Sequence, residues 1–388
     1  MRVRLLALVC LGYLAHPLAP AEGSPAVAYF QLSNRPALLQ RIDLETGRRL
    51  DSLRLPPDLH LAFDSALTTS GSAVLFGTRN DELFVGIYGD GSRIVRRWRI
   101  GLIEGRGFIG YHDALPGETH FPVEMLVSKG GRFVLVVGLP RRVATLIDVV
   151  TGTRRAIRLP AEVVRGVSVW GGFVLATSVA DGYRLRRFDV KGRWTGSAVV
   201  STPSSWQYDR DFATLDLSAS GGGREVLGVM SGATGPDVAD RESRLFRFKS
   251  TRAELSPQPV VSLDDREAFL AVTNGSEMLL GFDQLYFGPL VGPLESVPLP
   301  AARLRPNEQE IRTILVGGLG AAVSESGRLA HFVLWSDIRE TPSGDPFTRH
   351  EIATFTVSRP PRLLRRYYLG LHDGPRFGEP AVYGVWLG

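Results

Sequence analysis

Residues Ile147 to Pro160 read IDVVTGTRRAIRLP, and residues Ile42 to Pro56 have already read IDLETGRRLDSLRLP. Both stretches open on Ile-Asp, pass through Thr-Gly and stop at Leu-Pro. A Thr-Gly step between two runs of strand-forming residues marks a hairpin turn. The closing Pro ends the outgoing strand, because it cannot donate to a continuing ladder. The phrase therefore encodes two antiparallel strands, and its recurrence makes it part of a repeat.

A second element precedes such phrases, a Ser/Gly turn running into a short apolar strand. It appears as TTSGSAVLFG from Thr68, VSKGGRFVLVVG from Val127, VWGGFVLATS from Val169, SASGGGREVLGVM from Ser218, VTNGSEMLLGF from Val272 and VSESGRLAHFVLW from Val323. The turn glycines Gly71, Gly130, Gly172, Gly222, Gly275 and Gly327 recur about every 51 residues, within the spacing of propeller blades. Each is expected to take positive φ. After each comes another strand: LFVGIYG, ATLIDVV, RLRRFDV, RLFRFKS, QLYFGPL and EIATFTV. Each period thus holds three or four antiparallel strands, with no ten-residue stretch of helical periodicity between them.

Sheets of this size at this spacing predict an all-β fold, a β-propeller. A string of immunoglobulin-type sandwiches would need about twice the spacing. Near the N-terminus AVAYFQL, from Ala26, and the Ile42 phrase lack a preceding turn and strand, while PAVYGVWL, Pro380 to Leu387, stands alone at the other end. Pairing the N- and C-terminal strands in one sheet would close the ring and leave no open edge. The count is then seven blades, or six or eight if a degenerate unit is miscounted.

The Ile-Asp-x-x-Thr-Gly phrases after a Ser/Gly turn and apolar strand resemble the repeats of bacterial YVTN-type and quinoprotein-like seven-bladed propellers. The resemblance covers essentially the whole chain after residue 21. The Ser-Pro-Asp-Gly turn of those families is replaced here by SGS, SKGG, WGG, SASG, TNGS and SESG. The Gly-His and Trp-Asp steps of WD repeats and the Asp box of sialidases are missing too. What the resemblance implies is architecture and a binding role, and it carries over no catalytic residue.

The N-terminus, MRVRLLALVCLGYLAHPLAPAEGS, places Arg2 and Arg4 before the apolar run Leu5 to Leu14, with Ala19-Pro20-Ala21 ahead of Glu22. This is the pattern of a signal peptide over 1–21, leaving a single propeller domain over 22–388 that is exported to the periplasm or beyond the cell. No segment is long and apolar enough for a membrane span. Cys10 lies within the apolar run after Val9, which does not suit a lipidation site. Without Cys10 the exported chain has no cysteine, hence no disulfide and no thiolate ligand. Of 45 basic residues only Lys129, Lys191 and Lys249 are lysine. The arginines are dispersed among 40 acidic residues. That pattern argues against nucleic acid, which would require a basic stripe.

Propeller chemistry concentrates in long connecting segments. GRGFIGYHDALPGETHFPVE carries His112, Asp113, Glu118, His120 and Glu124, and LGLHDGPRFGE echoes it with His372 and Asp373. Two His-Asp pairs beside one channel would make a ligand site. Turns in which Asp accepts backbone N–H bonds are the plainer reading. In TPSSWQYDRDF, Trp206, Tyr208, Asp209, Arg210 and Asp211 suit a sugar or a cation, with Trp206 either a stacking face or a packing residue. SGATGPDVADRES, with Asp237, Asp240 and Glu242, and DPFTRHE, with Asp345 and His350, read as mobile hairpin insertions. No nucleophile elbow, P-loop or dinucleotide fingerprint is present.

The expectation is an exported binding scaffold for a protein, glycan or cell-envelope partner, with no cofactor and no turnover. The alternative is a propeller hydrolase or lyase acting on a lactone or glycan, with a divalent metal ion held in the channel by His112, His120, His372 or the Asp209/Asp211 pair. A third reading is the propeller subunit of a redox complex, bringing no cofactor of its own.

Overall fold

The computed structural model describes residues 27–35, 38–54, 60–61, 66–67, 73–79, 82–88, 94–102, 124–128, 132–137, 142–161, 163–206, 214–219, 226–235, 241–249, 252–255, 269–272, 277–281, 284–289, 294–315, 321–324, 327–340, 344–371 and 382–387. Within 60–102 and 269–281 the description is of the backbone alone. The N-terminal 26 residues, with the expected signal peptide and Cys10, lie outside it.

The described strands form seven antiparallel sheets, numbered here by their first strand in the chain. Sheets 3 (124–158), 4 (163–201), 5 (214–255) and 6 (269–298) each hold four consecutive strands in simple sequence order. Sheet 1 combines three strands of 27–54 with the C-terminal strand Val382–Leu387. That strand runs antiparallel to Val27–Leu32, with Ala28 opposite Leu387 and Phe30 opposite Val385. Sheets 2 (60–102) and 7 (308–371) have five strands.

The fold is an all-β β-propeller. The expectation of seven blades is corrected: five sheets are regular four-stranded blades. In sheets 2 and 7 the first strand is broken in two. His60–Leu61 and Ala66–Leu67 pair with successive parts of Ala73–Arg79. Likewise Glu308–Leu315 and Ala321–Val323 pair with successive parts of Leu329–Glu340. The sequence between the latter two, VGGLG, has three glycines, and glycine weakens a strand interior.

First strands of successive sheets are neighbours, from Ala66–Leu67 through Glu124–Val127, Val163–Val169, Thr214–Ala219 and Phe269–Val272 to Ala321–Val323. The core lies between sheets. Leu135, Leu146 and Ile157 of sheet 3 pack on Phe173, Leu175 and Phe188 of sheet 4. The opposite flank of sheet 4, with Val174, Tyr183 and Leu185, meets Leu215, Met230 and Phe246 of sheet 5. Leu285 and Phe287 of sheet 6 meet Phe332 and Phe355 of sheet 7. Val333, Ile352 and Leu369 of sheet 7 meet Phe30, Ile42 and Val385 of sheet 1. Alternating side chains of one strand thus serve two interfaces, as a pleated strand requires.

The phrase that opens the sequence reading is a turn with one chemistry in both copies. Asp43 Oδ1 accepts the Glu45 and Thr46 N–H groups at 2.9 and 3.0 Å. Asp148 Oδ1 accepts those of Val150 and Thr151 at 3.0 and 3.2 Å. Gly47 and Gly152 each donate back to the Asp carbonyl at 2.7 Å, at φ of 76° and 77°. Asp tightens the turn and Gly takes the left-handed conformation that a Cβ would strain. Sheet 4 carries a shorter version, in which Asp189 Oδ1 accepts from Lys191 and Arg193, both at 2.9 Å.

The Ser/Gly turns repeat equally well. Ser128 Oγ accepts the Phe133 N–H and Ser324 Oγ the Leu329 N–H, both at 3.0 Å. Gly327 has the expected positive φ, at 66°. In sheet 4 that role falls to Gly171 at 73°, and the expectation for Gly172 is corrected. Gly172 is instead a strand residue whose Cβ would lie 1.8 Å from the Phe188 carbonyl oxygen. Close strand approach, not turn geometry, explains that glycine. In sheet 3 the two turn types are clamped together by Arg132 and Asp148, Nη2 to Oδ2, at 2.8 Å. The Arg132 hydrogen bond holds the Asp148 carboxyl down at about 2, assisted by the two turn N–H groups.

Candidate functional site

This topology gives the molecule two unlike faces. In a four-stranded antiparallel blade the turns joining strands one to two and three to four lie at one end. The hairpin joining strands two to three lies at the other, with the connection to the next sheet. The first end carries the tight turns capped by Asp43, Asp148, Asp189, Ser128 and Ser324. At the second, the connection face, end the described strands that flank each longer segment singled out in the sequence.

Of those residues, His112, Asp113, Glu118 and His120 belong to 103–123, between sheets 2 and 3. Tyr208, Asp209, Arg210 and Asp211 belong to 207–213, between sheets 4 and 5. His372 and Asp373 belong to 372–381, between sheets 7 and 1. All of these, with Asp237 and Asp240, lie outside the described residues. The connections that bear them start and end at one face. Among the described residues no group of three or more His, Cys, Asp or Glu stands together as a metal would require. No described helix is long and apolar enough to cross a membrane.

Trp206 is described, and it is 3% exposed. Its ring lies over sheet 5, where a Cβ on Gly232 would approach it to 2.4 Å. It shares a cluster with Tyr183, Leu185 and Met230. Burial has raised the Tyr183 hydroxyl to about 12. Of the two roles weighed for Trp206, its burial matches the packing one. Its Nε1 is buried without a hydrogen-bond partner.

Of the two expected hairpin insertions, only the flanks of 231–243 are described, and the one at 345–351 is corrected. Ser231 and Ser243 lie in facing strands, buried and 2.6 Å apart through their hydroxyls. Glu242 beside them pairs with Arg244. In DPFTRHE the strand Pro346–Thr356 starts at once, and His350 is buried and stacked on Trp335 with ring centroids 5.2 Å apart. Both segments read as loops because polar residues dominate them; Ser231 and Ser243 bond each other across the facing strands, and His350 stacks on Trp335 of its facing strand.

The connection 299–307, between sheets 6 and 7, is described throughout, and sheet 7 fastens it along its length. Arg366 Nη1 donates to the Ala301 carbonyl. Glu310 accepts the Ala302 N–H at 2.5 Å. Arg349 Nη1 donates to the Arg303 carbonyl at 3.0 Å, and Glu308 accepts the Arg305 N–H at 2.7 Å. Behind this strap two ion pairs are buried, Arg349 with Glu308 and Arg366 with Glu351. The Glu308 carboxyl is held low by Arg349 and the Arg305 N–H despite burial, which opposes the shift. Arg303, Leu304 and Arg305 remain exposed on this strap.

The sequence reading missed these residues. The available signals were Pro300 and Pro306 bracketing AARLR, and the alternation Glu308/Glu310 against Arg349/Glu351 on strands meant to be interior. Carboxylates and guanidiniums at every second strand position report a shared charged flank.

No family model matches the chain, and no curated protein matches it. Among solved structures, the chain is similar over 94% of its length to dihydro-heme d1 dehydrogenase NirN in complex with DHE, at 12% identity over 75% of that chain and a TM-score of 0.43. It is similar over 80% of its length to the β-propeller domain of the Trilobed protease from Pyrococcus furiosus, at 10% identity over 96% of that chain and a TM-score of 0.44. The β-propeller domain of Cps50 (Swd1) from Myceliophteria thermophila matches over 80% of this chain and 88% of its own, at 16% identity and a TM-score of 0.42. The likeness is one of fold, and the fold rests on the sheet order described above.

Proposed function

We propose that the chain is an exported scaffold protein that binds a protein, glycan or cell-envelope partner on its connection face. One observation carries the reading: the strap 299–307 is fixed from behind by buried side chains while Arg303, Leu304 and Arg305 point outward. A segment held rigid on a scaffold and exposing an apolar residue between two arginines loses little conformational freedom on binding. Arginine flanking an apolar contact is common at interface centres. The other connections add further variety at the same end.

In this reading residues 1–21 are removed on export and the remaining chain forms one propeller. The paired termini in sheet 1 complete the ring, as in the YVTN-type repeats. The protein brings no cofactor of its own.

The test is binding to envelope extract and to a glycan array, comparing Leu304→Asp on the connection face with Trp170→Ser on the turn face. Trp170 is 67% exposed in a tight turn, so it is a fair control for loss of a surface apolar group. The expected result is a loss of at least tenfold in apparent affinity for Leu304→Asp and none for Trp170→Ser. Loss confined to Trp170→Ser would overturn the choice of face, and turnover of a glycan or lactone by the wild type would overturn the scaffold reading.

A further inference from the structure

Strand Gly182–Asp189 of sheet 4 carries a buried arginine that no carboxylate among the described residues pairs with. Arg186 is 5% exposed. It shares a pleat face with Phe188 and lies opposite Leu175, both of which pack on sheet 3, so its stem enters the interface between sheets 3 and 4. Nη1 donates to Thr177 Oγ1 at 2.7 Å. Nε is buried with no partner. The guanidinium carbon lies 5.0 Å from the Trp194 ring centre, and that ring meets Phe188 edge-on. No carboxylate among the described residues pairs with it.

The neighbouring cation is of the same sign. Arg184, two residues earlier on the same pleat face, is exposed. Burial and the Arg184 charge both push the Arg186 pKa down, although a guanidinium remains charged at any ordinary pH. Buried charges are ordinarily paired, since desolvation without a counter-charge costs several kcal/mol. Among the described residues, Glu308 with Arg349 and Glu351 with Arg366 follow that rule. Arg186 departs from it, and a planar guanidinium whose Nε has no partner is the fork that a two-oxygen anion fits.

We propose that Arg186, with Arg184 beside it and Trp194 beneath it, forms an oxyanion site on the sheet 3 flank of sheet 4, taking one carboxylate or phosphate group of a small acid free in solution. Arg184 lies on the hairpin side of Arg186 and Trp194 on the side of the turn that follows Asp189. The site does not depend on the connection face binding a partner.

Thermal midpoints in sodium phosphate and in sodium acetate, each against sodium chloride at equal ionic strength, decide the matter. The wild type is expected to show a saturable rise with at least one of the two anions. Arg186→Met should show no rise with either and should melt in chloride at or above the wild type, because an apolar replacement removes an uncompensated buried charge. Arg186→Lys, which keeps the charge and loses the fork, should weaken the apparent affinity at least tenfold. A wild type that responds to neither anion beyond chloride would overturn the site, as would an equal response in Arg186→Met. An Arg186→Met protein that melts far below the wild type in chloride, or fails to fold, would mark the guanidinium as purely structural and overturn it too.

Discussion

Arg349→Met is expected to destabilise the protein by about 3–5 kcal/mol, the usual cost of breaking a buried ion pair from one side. The side chains of Arg349 and Glu308 are 8% and 1% exposed, and two parallel hydrogen bonds join them. Arg349 also stands over the Phe347 and Tyr368 rings, at 5.3 and 5.9 Å. Methionine replaces the stem and its ring contacts but leaves the Glu308 carboxylate buried without its counter-charge. Adding Glu308→Leu should then recover part of the loss, since the orphan charge disappears with it. Full recovery is not expected, because Glu308 also accepts the Arg305 N–H. Urea unfolding of both single variants and the double variant measures the coupling directly. Strictly additive losses would show that the pair contributes nothing as a pair.

The second large effect is a loss of stability on mild acidification, traced to His331. This side chain is wholly buried in sheet 7; its Nδ1 meets Thr354 Oγ1 at 2.9 Å and its Nε2 has no partner. Burial lowers its pKa from 6.5 to about 4, with the Asp43 carboxylate opposing that shift and the Arg365 guanidinium adding to it. The folded protein therefore binds the imidazole proton less readily than the unfolded chain. The stabilisation is complete above pH 6.5 and falls as the pH drops from there toward 4, by on the order of 3 kcal/mol. Asp148, held at about 2, titrates below that window. Urea midpoints at pH 7 and pH 4.5 should differ markedly for the wild type and much less for His331→Asn. An equal drop in the variant would assign the acid sensitivity to other groups.

The local chemistry was readable from the chain because it is local. Asp43, Asp148 and Asp189 cap turns within a few residues of themselves, and Gly47, Gly152 and Gly327 supply positive φ at fixed offsets. The same holds for the strands, whose alternating side chains pack on two neighbouring sheets. What escaped notice depends on partners far along the chain. The pairing of Glu308 with Arg349 spans 41 residues, and the burial of His350 and Ser231 follows from the strand facing each. The breaks in the inner strands of sheets 2 and 7 have no period to betray them. Trp206 was legible as an aromatic at a connection, but only packing on Gly232 decides that its ring is interior. The site was legible as a set of connections that share one face. The strap with Leu304 was not, since what holds it lies in strands that follow it in sequence.

The N-terminal and C-terminal strands meet in sheet 1, where Gln31 lies opposite Gly384. Directly opposed residues of antiparallel strands have Cα atoms about 4.5–5.5 Å apart, within disulfide reach. Cys10 is the one cysteine of the sequence, so Gln31→Cys with Gly384→Cys in a Cys10→Ser background can be read without ambiguity. Oxidation of the folded double variant, followed by intact mass under non-reducing conditions, should give an intramolecular disulfide in nearly every molecule. Free thiols, or cross-links only between molecules, would contradict the pairing of the ends and with it this account of the propeller.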